Sequence, residues 1–248
     1  MIAPGAKRVV VQTPPPEAEV IPGVRWGNIN APMTPAFWKA SAAMLPETGP
    51  NALRAGDSLV DEMAVCLLSG FGIKAELAYA AYRRLRDRGL LAGKPEVAAL
   101  EAALREPLQL GARAARYRFP TQKAKYLAGA LEVFRSQVPP VGDLELRAWL
   151  MGIEGIGAKT ASFIVRNWLL SDQVAILDVH VIRAGTHMGL FRPSDRVESM
   201  YDRMERRFLD FARAINVRAS ILDLMIWGQM REYRFAEALG SMDEALAA

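Results

Sequence analysis

Cysteine is almost missing from this chain. Cys66 is the single one in 248 residues, so no intrachain disulfide framework can form, and no all-cysteine metal or iron–sulfur site can be built within one chain. Cys66 itself sits in the apolar run Met63 to Leu68 and reads as a core residue. Also lacking are an apolar stretch of about 18 residues and an opening basic region followed by an apolar one. The expectation is therefore a soluble protein of the cytoplasm, nucleoid-associated in a prokaryote, with no membrane partner. Neither an internal repeat nor a low-complexity tract occurs. Charge is present in ordinary amount, 23% against 51% apolar residues, which is globular rather than disordered. The net charge of +4 and a pI near 9.3 favour an anionic partner. The length allows a substantial core in one large or two small domains.

Nine of the fifteen prolines fall in the first fifty residues, marking an extended arm that wraps a surface or is partly disordered. Lys7 to Gln12 could form a short strand that Pro14–Pro16 would end. Thr34-Pro35 is an N-cap and first-turn pair for a helix to about Leu45, and a break follows from Pro46 to Gly56. From there the pattern is helical: Asp57 capping a run through Ser69, then Lys74 to Arg88, Pro95 to Leu104, and Thr121 to Gln137 with Leu127, Ala130, Leu131 and Phe134 at helical spacing. Asp143 would cap the next helix. Beyond residue 180, Arg196 to Arg213 and Arg218 to Met230 repeat the pattern. Periodicity thus predicts an all-α fold.

The chemistry concentrates in Leu150 to Val165. Gly152, Gly155 and Gly157 lie between two apolar helical patterns and allow a tight turn with positive φ and close backbone approach to another surface. Its free amides, together with the start of the helix opening near Ala158, suit a phosphate; an ordinary helix–turn–helix corner would look the same. Lys159 separates the two readings. Ala161, Ile164, Val165, Trp168 and Leu169 place it in the first turn of a helix, where the dipole opposes a cation and favours the neutral amine that a nucleophile needs. Nineteen residues later comes Asp178. The helix carries the chain about 16 Å away and an extended Ser171 to Leu177 can return roughly 23 Å, so the two could meet. Asp178 could equally be a plain N-cap for the run Val181, Ile182, Gly185.

Two other stretches stand out. Ser69-Gly-Phe-Gly-Ile73 sets Phe71 between glycines, as a wedge entering DNA or a plug over a helix end. Arg113 to Tyr126 interleaves basic residues with three aromatics, a pairing that suits backbone neutralisation and base stacking. Within it Arg116, Arg118 and Phe119, before Pro120 on an irregular loop, are the functional candidates, whereas Lys123 and Lys125 fit a solvated helix face.

The run Ile153-Glu-Gly-Ile-Gly-Ala-Lys-Thr-Ala161, with Leu-Asp-Val-His following to place Asp178 nineteen residues after Lys159, resembles the helix-hairpin-helix superfamily of DNA glycosylases. The lysine marks the bifunctional kind, and the similarity is greatest to 8-oxoguanine DNA glycosylase/lyases of the archaeal type, which lack an iron–sulfur cluster. The motif covers about a fifth of the chain. The resemblance implies a two-lobed fold with a central cleft: residues 1–56 as an arm and helix packing with the C-terminal lobe, 57–170 as a helical barrel ending in the hairpin, and 171–248 as a C-terminal helical lobe. It puts the catalytic lysine on Lys159, the catalytic aspartate on Asp178, DNA-backbone contacts on Gly155, Gly157 and His180, and a base pocket on Asp223 and Trp227, which lie four apart on one helix; Trp227 as a plain core residue is the alternative. Glu154 departs from the family, which commonly has proline there, and a carboxylate at a phosphate-binding tip is electrostatically awkward. The function implied is excision of an oxidised purine, 8-oxoguanine, from duplex DNA through a lysine Schiff base, by a monomer that requires no cofactor, although the hairpin carbonyls could take a monovalent or divalent cation; no protein metal site is expected. The same chemistry on another modified base, or a non-catalytic DNA-binding module, are the rivals.

Overall fold

The computed structural model describes residues 9–45, 53–70 and 72–232. These fall into two compact units, one drawn from 1–48 and 172–248, the other from 49–171.

The first unit opens with an antiparallel hairpin, β1 (Glu19–Ile21) and β2 (Val24–Arg25). Its turn is Pro22-Gly23, with Gly23 at φ +80°, because proline presets the first corner and only glycine enters the second without strain. Of the strand expected at Lys7 to Gln12, residues 7 and 8 lie outside the described residues, and 9–12 form no strand among the described ones. Three valines in a row favour extension but supply no partner strand, whereas Pro22-Gly23 brings one. Helix α1 (Pro35–Ala43) follows as expected, with Thr34 Oγ1 accepting from the Phe37 amide at 3.2 Å and proline at the first helical position.

Among the described residues the second unit is a set of six helices and one small hairpin. Helix α2 (Leu59–Leu68) is capped by Ser58 rather than Asp57. Ser58 stands three residues before Asp61, and the two close a reciprocal capping box, which Asp57 has no partner to form. Then come α3 (Ala75–Asp87) and α4 (Val97–Arg105). Next is a hairpin that periodicity missed, β3 (Leu108–Leu110) with β4 (Arg113–Ala115); it is three residues a side and holds no β-branched residue. After it run α5 (Pro120–Ser136), α6 (Asp143–Met151) and α7 (Ala158–Leu169). Gly142, not Asp143, is the N-cap of α6, and Asp143 lies in the first turn, where its charge suits the helix dipole.

The first unit resumes with α8 (Val179–His187), α9 (Val197–Ala214) and α10 (Ala219–Glu232). Its core joins Trp26 and Trp38 from the N-terminal part to Leu177, Phe208, Phe211, Leu222 and Ile226, so chain ends far apart in sequence share one apolar interior. Among the described residues no helix is long and apolar enough to cross a membrane.

Candidate active site

Helices α6 and α7 pack together and enclose the glycine turn. Ile153 and Ile156 anchor it, both buried, while Glu154, Gly155 and Gly157 face outward. Of the three glycines only Gly155 takes a positive φ, +90°. A Cβ there would lie 2.5 Å from the Tyr126 ring, so conformation and contact both require glycine. Gly157 is glycine for another reason. It is the N-cap of α7 with φ −89°, an angle open to any residue, and apart from its two chain neighbours no atom of the described residues lies within 4 Å of where its Cβ would stand. Among the described residues no side chain caps α7, an arrangement that suits an outside acceptor at the first-turn amides.

Lys159 is the second residue of that first turn and is exposed. The C-terminal end of α7 is fixed by side chains. Near its end, Asn167 donates to Glu62 Oε1 at 2.6 Å, and Glu62 Oε2 takes the Ala55 amide, also at 2.6 Å. Burial pushes the Glu62 carboxyl up against the pull of these hydrogen bonds, and it pushes the neighbouring Cys66 thiol well up, which makes Cys66 inert. Arg54 donates twice to the Trp168 carbonyl, at 3.0 and 2.8 Å, and lies 3.8 Å over the Trp168 ring. That grip holds the turn in which Leu170 adopts a left-handed cap at φ +51°.

One functional candidate escaped the sequence reading. Lys123, taken for a solvated residue, is only 5% exposed. Its Nζ donates to Leu67 O at 2.5 Å and Ser69 O at 3.3 Å, while the buried Tyr117 hydroxyl donates to Leu68 O at 2.6 Å. Three consecutive carbonyls at the end of α2 are thereby satisfied from the 117–123 segment, at the base of the 69–73 loop. Burial, and then the charge of Lys159, hold the Lys123 amine down to about 8. The signal was available: Lys123 lies four residues before Leu127 and seven before Ala130, inside the apolar stripe of α5.

The remaining second-unit candidates lie around these. Arg116 and Arg118 are exposed; the Arg118 guanidinium lies 5.0 Å over the ring of Phe119, which is itself the N-cap of α5. The segment is therefore less irregular than expected, since β4 leads into it. Glu154 pairs with Lys125 at 3.0 Å, both exposed. The carboxylate at the hairpin tip thus faces a lysine of α5. Phe71 lies outside the described residues.

In the first unit, Asp178 is the N-cap of α8, with Oδ1 accepting from the amides of His180 and Val181, each at 2.9 Å. The half-buried His180 has its Nδ1 buried with no hydrogen-bond partner among the described residues. On α10, Trp227 is half-buried and Asp223 is buried, with Asp223 Oδ2 accepting the Ile176 amide at 3.2 Å.

The family model described as 8-oxoguanine DNA glycosylase, of the helix-hairpin-helix kind, matches residues 51–217. The 8-oxoguanine DNA glycosylase/AP lyase of Saccharolobus solfataricus is 32% identical over 125 residues, which are 46% of this chain and 60% of that protein. The chain thus matches about three fifths of the length of that relative. Among solved structures, the 8-oxoguanine DNA glycosylase of Thermotoga maritima superposes with a TM-score of 0.54 at 23% identity, over 68% of this chain and 77% of that one, a likeness of fold. The Methanocaldococcus jannaschii 8-oxoguanine glycosylase/lyase, solved in complex with a 15mer DNA containing 8-oxoguanine, gives 0.53 at 26% identity over 68% and 78%.

Proposed function

Because the chain belongs to the helix-hairpin-helix 8-oxoguanine DNA glycosylase family, we propose that it excises 8-oxoguanine from duplex DNA and then nicks the strand as an AP lyase. The observation that carries this is the placing of Lys159: an exposed amine in the first turn of α7, directly after a glycine turn whose amides no side chain caps. A phosphate-binding corner alone needs no such lysine. The M. jannaschii relative bound to DNA containing 8-oxoguanine supports DNA as the partner.

Lys159, as the free amine, attacks C1′ of an extruded nucleotide. The new N–C1′ bond replaces the glycosidic bond, whose electron pair leaves with the purine, and the purine takes up a proton. The Asp178 carboxylate stabilises the positive charge that grows on the sugar as the base departs. Opening of the sugar ring gives the Schiff base. Loss of a C2′ proton then breaks the C3′–O bond, and the 3′ phosphate departs. Amine and carboxylate suffice for every step, without a redox cofactor. Backbone phosphates are held by the α7 amides beside Gly157 and by Arg116 and Arg118, with His180 as a further contact.

Borohydride reduction on a duplex carrying 8-oxoguanine tests the reading. The protein should become covalently joined to DNA, and Lys159→Gln should abolish both the adduct and strand cleavage while DNA affinity falls little. An adduct formed equally by Lys159→Gln would place the nucleophile elsewhere.

A further inference from the structure

The segment between α7 and α8 is buried yet irregular: Val174, Ala175, Ile176 and Leu177 all lie in the interior, and none pairs in a sheet. Backbone amides and carbonyls in such a place must be satisfied by side chains. Two of these side chains come from α9. Glu205 Oε1 accepts the Ala175 amide at 2.9 Å, and the Tyr201 hydroxyl donates to the Ala175 carbonyl at 2.7 Å. Four residues apart, they share one face of α9, just after the kink at Met200 (φ −127°, ψ 18°). The next amide, that of Ile176, goes to Asp223 of α10. The Ile176 carbonyl in turn receives the Asp178 amide at 2.9 Å. Side chains of α9 and α10 therefore hold the consecutive residues Ala175 and Ile176, and Ile176 in turn holds the backbone of Asp178.

Glu205 is only 4% exposed. Burying a carboxylate is costly unless it is well bonded, and a bond that an amide donates to a charged acceptor is stronger than its neutral counterpart. Resting on the role given to Asp178 above, we propose that Glu205, with Tyr201, is a positioning residue for the reaction: it fixes the peptide that sets where the Asp178 carboxylate stands. A displacement of about 1 Å at a reacting group can lower a rate by roughly a hundredfold, so the grip on Ala175 acts on catalysis without touching DNA.

The test compares single-turnover excision of 8-oxoguanine by the full chain and by Glu205→Leu, Glu205→Gln, Tyr201→Phe and Asp178→Asn, each rate taken per folded molecule, with duplex affinity measured in parallel. Glu205→Leu should slow the chemical step by roughly ten- to a hundredfold with duplex affinity unchanged. Glu205→Gln, which keeps an acceptor oxygen in place, should recover most of the rate. If Glu205→Leu does not fold, Tyr201→Phe decides, since it removes only the hydroxyl and should slow the step several-fold. A wild-type rate in Glu205→Leu, or in Tyr201→Phe where the former is unfolded, overturns the proposal when Asp178→Asn is slow. Full activity in Asp178→Asn would instead overturn the role of Asp178.

Discussion

Replacing Lys123 by methionine should change how stability depends on pH, by an amount set by its burial. In the folded protein the amine is held down from 10.5 to about 8; the unfolded chain restores the ordinary value. Below pH 8 both states carry the proton, and the group adds no slope. Between pH 8 and 10.5 the unfolded state holds one proton more than the folded state, so stability rises with pH, by about 1.4 kcal/mol per unit at most. The full interval amounts to about 3 kcal/mol as an upper figure. From pH 7 to 9.5 the gain is about 2 kcal/mol. Methionine has nearly the same length but does not titrate, and it leaves the Leu67 and Ser69 carbonyls without their donor. That loss lowers stability by about 1–3 kcal/mol at each carbonyl, offset by removal of a buried charge, and it does not vary with pH. Urea unfolding followed by tryptophan fluorescence, at pH 7 and 9.5, isolates the titrating part as a difference of differences, because all other groups are common to both proteins. Wild type should gain about 2 kcal/mol more than the variant. Equal gains would show that Lys123 titrates normally and that its enclosure is not what holds the amine down.

Gly155→Ala puts a Cβ at 2.5 Å from the Tyr126 ring and an alanine at φ +90°; duplex affinity should fall about tenfold or more, with roughly 1–3 kcal/mol lost in stability, and unchanged binding would mean that the turn does not hold phosphate. Glu154→Gln frees Lys125 and removes a negative charge from the hairpin tip; duplex binding should tighten and the slope of log K against log salt should steepen by about one, whereas an unaltered slope would place the tip away from DNA. Trp227→Ala should sharply reduce excision of 8-oxoguanine but spare cleavage at a ready-made abasic site, which has no base to hold; equal loss of both, with a lower melting temperature, would make Trp227 a core residue.

Sequence alone determined the helical character, the glycine turn and the position of Lys159 in a first turn. All three rest on local rules: an apolar stripe of period 3.6, and the few residues that a tight turn and a helix start tolerate. The N-cap at Asp178 was legible for the same reason, as one of two readings offered for that residue. Local rules also misplaced what two candidates compete for, as at Ser58 against Asp57, where the capping box with Asp61 decided. Contacts between residues distant in sequence were decided by tertiary structure. Lys123 reads as a surface lysine until α2 ends against it with three carbonyls to satisfy. Glu154 looks misplaced in a phosphate-binding turn until Lys125, 29 residues away, is found beside it. The Ala175 and Ile176 peptides acquire their partners from Tyr201, Glu205 and Asp223 only once α9 and α10 are packed. The physical reason is the same in each case: a buried polar group must find a partner, and no local pattern in the chain says from which helix that partner will come.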